Sequence, residues 1–106
     1  MSQIKLVSLH CEKLQDSISE DEIRVRVNGS TVVGPIGVHK NQTIPLNAVR
    51  SFDGTAVVTM VEEDKNSHED NLGTVVVTAK EAGQGNKTGV FDQARHAHYE
   101  LTYNVT

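Results

Sequence analysis

Carboxylates gather in one stretch of this 106-residue chain in a pattern that suits a hard cation. The stretch is Glu62-Glu63-Asp64-Lys65-Asn66-Ser67-His68-Glu69-Asp70-Asn71-Leu72-Gly73. Glu62 and Asp64 sit two residues apart as the chain leaves a candidate strand, and in extended backbone side chains two apart project to the same side. Asp70 comes back across the loop mouth. A second acidic stretch, Asp16 to Glu22, offers Asp16 with Asp21 or Glu22. Calcium takes about six to eight oxygen ligands, mostly carboxylates and carbonyls, in a flexible cage. Hard oxygen donors favour it over zinc, and a loop cage suits it better than magnesium. The sequence therefore nominates Asp16, Asp21, Glu22, Glu62, Asp64 and Asp70 as metal ligands, with Ca2+ as the ion.

Charge distribution sharpens this reading. The net charge is −4, but the windows 16–22 and 62–70 hold nine of the fourteen acids and a single base, Lys65. The rest of the chain has nine bases and five acids. Like charges packed this closely repel and destabilise the fold unless a cation sits among them. An EF-hand is excluded, because that loop needs glycine at its sixth position and glutamate at its twelfth. Counted from Glu62, those places hold Ser67 and Gly73.

The elements that must position these loops have a period of two. Asp21-Glu22-Ile23-Arg24-Val25-Arg26-Val27 alternates, with Ile23, Val25 and Val27 on one face and the arginines on the other. His98 to Val105 alternates in the same way through Tyr99, Leu101, Tyr103 and Val105. The runs 55–61 and 72–78 are dense in β-branched residues and read as central strands. Ile4 to Leu9 is a further strand. Asn28-Gly29 and Asp53-Gly54 suit tight hairpins, and Pro35 and Pro45 mark edges or bends. Arg24 and Arg26 read as an outward pair on a soluble edge strand. The segment Phe91 to His96 is the one weak helical candidate. Seven or eight short strands in a chain of this length predict an all-β antiparallel sandwich, with residues 1–106 as a single domain.

Together these features resemble a C2 domain, the calcium- and phospholipid-binding β-sandwich. Its second acidic loop follows Asp-x-Asp-x5-Asp-x-(Ile/Leu)-Gly, and the chain offers Glu62-x-Asp64, five residues, then Asp70-Asn71-Leu72-Gly73. Its first loop has an aspartate followed five or six residues later by Asp-Pro-Tyr and a strand, and here Asp16 precedes Asp21-Glu22-Ile23. Glu62 stands in place of an aspartate and Glu22 in place of the proline. The resemblance implies that Asp16, Asp21, Glu62, Asp64 and Asp70 ligate calcium. It implies anionic phospholipid headgroups or a protein as the partner. The loop tips offer Ile18 in one case and Lys65 to His68 in the other, which is poor material for bilayer insertion.

Other chemistries find little support. There is no Gly-x-Ser-x-Gly, phosphate loop or His-Glu-x-x-His, so no enzyme is expected. An acidic balance and four aromatics disfavour nucleic acid. No apolar run approaches the roughly 20 residues that span a bilayer. A signal peptide is not visible, and Cys11 is the only cysteine, which fits a cytoplasmic setting. Cys11 is expected in the core, pointing away from its neighbour His10. His96 and His98, two apart on a candidate strand with Glu100 beyond, have the spacing of a zinc or copper pair. No third ligand is fixed by spacing, so they read as a polar face. The expected function is a calcium-binding C2-like module. The alternative is a metal-free β-sandwich serving as a structural or interaction subunit.

Overall fold

The computed structural model describes residues 1–15, 20–63, 69–94 and 96–106. Eight strands follow in chain order: β1 (Ser2–Lys13), β2 (Asp21–Val27), β3 (Ser30–Val38), β4 (Thr43–Phe52), β5 (Thr55–Glu62), β6 (Asp70–Thr78), β7 (Lys87–Phe91) and β8 (His98–Val105). A short 3₁₀ turn, Ala79–Glu81, follows β6. The strands form two four-stranded sheets, β4-β1-β8-β7 and β3-β2-β5-β6. Every pairing is antiparallel. The expected all-β sandwich is therefore the observed one.

The core lies between the sheets. Ile23, Val25 and Val27 from β2 meet Tyr99, Leu101, Tyr103 and Val105 from β8, all buried. Strand β1 keeps its core face by a break in alternation. Leu6 and Leu9 are both buried although three apart, because the register slips between Leu6 and Ser8. One extra residue in the bulge lets both leucines face inward. Cys11 is fully buried and His10 turns outward to Thr43, with Nδ1 2.7 Å from Oγ1, as strand alternation requires.

Several expectations change. Strand β6 lies at an edge, so the β-branched run 72–78 marks burial on one face and not a central place. Strand β2 is internal, flanked by β3 and β5, so Arg24 and Arg26 do not guard an edge. Asp53-Gly54 joins β4 to β5, which belong to different sheets, so it is a crossover turn and no hairpin. Asn28-Gly29 is the tight hairpin expected, with φ of 50° and 84°. Pro35 and Pro45 sit on the edge strands β3 and β4. The segment after Phe91 forms no helix among its described residues. Gly34, at φ 97°, lies so close to β2 that a Cβ there would collide with the Ile23 carbonyl oxygen.

One carboxylate staples the 3₁₀ turn to β8. Glu81 accepts from the Thr78 amide at 2.9 Å and from the Tyr103 hydroxyl at 2.7 Å, and its carboxylate lies 3.4 Å from the Lys87 ammonium. Burial works to raise the Glu81 carboxyl, but these donors outweigh it and hold it below the usual carboxylate range. Burial and the Glu81 charge push the Tyr103 phenol up to about 12. A depressed folded-state value means the contribution is fully present above the unfolded value and is lost as pH falls through the folded one. Glu81→Gln should cost about 1–2 kcal/mol near pH 7. Urea melts at successively lower pH should show the gap to wild type closing below about pH 4.5, the ordinary value for this carboxyl.

Candidate functional site

Antiparallel alternation brings the β1–β2, β3–β4, β5–β6 and β7–β8 connections to one end of the sandwich. Both acidic stretches are at that end. Asp16 and Asp64 lie outside the described residues. The other four nominated residues sit on the neighbouring strands β2, β5 and β6.

Register sorts those four. Asp21 is two residues from Ile23, so the two share a face. Ile23 is opposite Glu62, and Glu62 is opposite Asp70. Asp21, Glu62 and Asp70 therefore share the inward face at the loop end. Asp21 is 0% and Glu62 3% exposed, and Asp70 is half-buried. Glu22 is half-buried on the opposite face of β2, alongside Arg24 and Arg26. As a trio, Asp21, Glu62 and Asp70 do not converge to within 4.8 Å, a spacing that only Glu12, His98 and Glu100 reach among the described residues.

Asp21 is held firmly. Its Oδ2 accepts from the Tyr99 hydroxyl at 2.6 Å and from the Gln15 amide at 2.7 Å. Tyr99 belongs to the other sheet, so this bond ties the two sheets at the end where the loops emerge. Burial pushes the Tyr99 phenol far up, and the Asp21 carboxylate and Cys11 add to the shift. The phenol therefore stays a donor at any physiological pH.

The arginines of β2 clamp the flanks of the second acidic stretch. Arg24 Nε donates to Glu63 at 2.6 Å, and Arg26 donates to both carboxylate oxygens of Glu69 at 3.1 and 2.7 Å. The hydrogen bonds from Arg26 hold Glu69 below the usual carboxylate range. Glu20 lies 3.1 Å from the His39 ring. Glu20, Glu63 and Glu69 thus have basic partners, and none of the three was nominated. The exit of the loop is also built: Asn71 Oδ1 accepts from the Gly73 amide at 2.8 Å, and Leu72 is fully buried. Gly73 has φ 141°, a backbone that disfavours other residues. The Asp70-Asn71-Leu72-Gly73 run is thus a local device that starts β6.

On the side of the other sheet, Lys13, Leu14, Lys40 and His96 line a cleft of about 280 Å³. His96 precedes β8, so it does not share a strand with His98 as the spacing suggested. Tyr99 and the arginine clamps were missed as parts of the site. Arg24 and Arg26 did carry a signal, since they alternate outward on the strand that leads into the first loop. Tyr99 carried none beyond its inward position.

No protein-family model and no curated protein matches the sequence. A structure of extended synaptotagmin 2, comprising its C2 domains A and B, superposes with a TM-score of 0.54 at 16% identity. The fold is C2-like. That match covers 94% of this chain and 39% of the other, so the chain spans well under half of that structure. The first C2 domain, domain A, of plant extended synaptotagmin 1 matches at TM-score 0.49 and 12% identity, over 97% of this chain and 92% of that one. The Tyr99–Asp21 bond ties the two sheets at the loop end. Tyr99→Phe removes a donor from a buried carboxylate and should destabilise by about 1.5–3 kcal/mol in urea unfolding, with the slope of the transition unchanged.

Proposed function

We propose that the chain is a calcium-binding module that orders its two acidic loops around the ion and then engages an anionic headgroup. It acts as a binding domain and carries out no catalysis. The observation that carries the reading is the shared inward face of Asp21, Glu62 and Asp70 on three adjacent strands, at the end where both acidic loops emerge. The donor set fits a hard cation, because every one of these groups offers carboxylate oxygen. Asp16 and Asp64, nominated from the sequence, would complete the ligand set. Glu22 is a weaker ligand candidate, since it shares the outward face of β2 with the arginines. The cleft lined by Lys13, Lys40 and His96 supports an anionic headgroup as the partner. The C2-like fold contributes the architecture alone.

A metal-free interaction module is the second reading. The Arg24–Glu63 and Arg26–Glu69 pairs favour it, because they already relieve part of the repulsion an ion would otherwise relieve. Thermal unfolding with calcium, with magnesium and with a chelator separates the two. An ion that binds only the native state stabilises by RT ln(1 + [L]/Kd), about 2.7 kcal/mol at one hundred times Kd. For a domain of this size the expected calcium-specific rise in Tm is about ten degrees. Asp64→Asn plus Asp70→Asn should abolish it. Calcium-dependent sedimentation with vesicles rich in anionic lipid, absent with neutral vesicles, is the expected second result. A double variant that is merely more stable, with no calcium response in wild type, would establish the metal-free reading.

A further inference from the structure

Strand β8 presents a second set of metal-ligating side chains, on the face opposite Tyr99. We propose that Glu12, His98 and Glu100 form a binding site for a divalent transition ion of the zinc class. Strand alternation sends His98 and Glu100 to the outer face, two residues apart. Glu12 comes from β1 through a second bulge. Cys11 is opposite Tyr99, but Lys13 and not Glu12 is opposite His98. Two residues of β1 therefore face one of β8, and the extra residue re-aims a side chain, as bulges do. Lys13, the other residue of the bulge, lines the neighbouring cleft with Leu14, Lys40 and His96.

Two of the three spacings match those of ligands around an ion. His98 Nε2 lies 3.3 Å from a Glu12 oxygen and 3.4 Å from a Glu100 oxygen. One ligand atom from each residue lies within 4.8 Å of the others. A tetrahedron with zinc at about 2.0–2.1 Å from each ligand has edges of about 3.3–3.4 Å. One imidazole nitrogen with two carboxylates is a donor set for zinc, whereas calcium takes oxygen alone. Side-chain exposures of 28% for His98, 53% for Glu12 and 38% for Glu100 leave an open position for water or a fourth ligand. His10 lies opposite Glu100 on β1, and its Nδ1 is occupied with Thr43.

The test is titration of the metal-free protein with Zn2+ by calorimetry, and with Co2+ followed by its visible absorption. Wild type should bind one equivalent of each at this site, with Zn2+ displacing Co2+. His98→Ala should weaken binding by at least about 100-fold, the upper range for losing even an outer partner of a ligand. His98→Gln, which keeps a polar side chain of similar reach, should do the same and guards against a folding defect in the alanine variant. His96→Ala should leave binding unchanged. The chain with Asp64→Asn plus Asp70→Asn should also keep it, since Asp70 belongs to the other sheet and neither residue is among the three proposed ligands. Absence of saturable binding, wild-type affinity in both His98 variants, or loss of binding in the loop variant would each overturn the proposal.

Discussion

The hydrogen bond from Tyr99 to Asp21 is the constraint on which the loop end of this sandwich depends. It joins residues 78 apart in sequence and links β8 of one sheet to β2 of the other. A carboxylate buried to 0% exposure is costly unless donors surround it. Tyr99 and the Gln15 amide supply two of them. The bond also sets where the first acidic loop must end, because Asp21 is the first residue of β2. Every further placement at that end follows from the register of β2. Ile23 fixes Glu62, and Glu62 fixes Asp70.

Charge is managed by division of labour across the two faces of β2. The inward face carries Asp21, which accepts from neutral donors. The outward face carries Arg24 and Arg26, which neutralise Glu63 and Glu69 on either flank of the second loop. Both pairs are partly exposed, so each contributes modestly to stability. Their larger effect is positional. The bidentate contact of Arg26 with Glu69 fixes the return of the chain into β6, and the Arg24 contact fixes its departure from β5. The repulsion inferred from counting acids is thereby reduced at the flanks.

The sequence carried the sandwich and much of the loop logic, because period-two alternation survives in β2 and β8 without interruption. It was weaker wherever a bulge broke that period. Leu6 and Leu9 are both core residues, and no strict alternation allows it. Edge and centre were also indistinct. β-Branched residues in β6 report burial on one face, and the outward Val76 is 59% exposed. Long-range pairs were beyond reach for a different reason. Glu12 meets His98, and Arg26 meets Glu69, only once strand order and register are known. Adjacent spacing suggested His96 with His98, but β8 begins at His98, and the true neighbour comes from β1.

Strand β8 connects the two proposed cation sites at one end of the molecule. Its alternation gives Tyr99 to the interior, where it holds a carboxylate of the proposed calcium site. The same alternation gives His98 and Glu100 to the exterior, where they meet Glu12. The two proposed sites therefore both touch β8, one through the Tyr99 donor and the other through its own ligands, and they use different donor chemistry, oxygen alone in one and nitrogen with oxygen in the other. Both add negative potential to the same end of the sandwich, beside the cleft of Lys13, Lys40 and His96. An anionic surface approaching that end meets repulsion from the carboxylates before it meets attraction from the lysines. Cations bound among the carboxylates would weaken that repulsion and leave the attraction intact. Under the proposed function, ion binding therefore favours anion recognition, because neutralised carboxylates no longer oppose the attraction of the cleft.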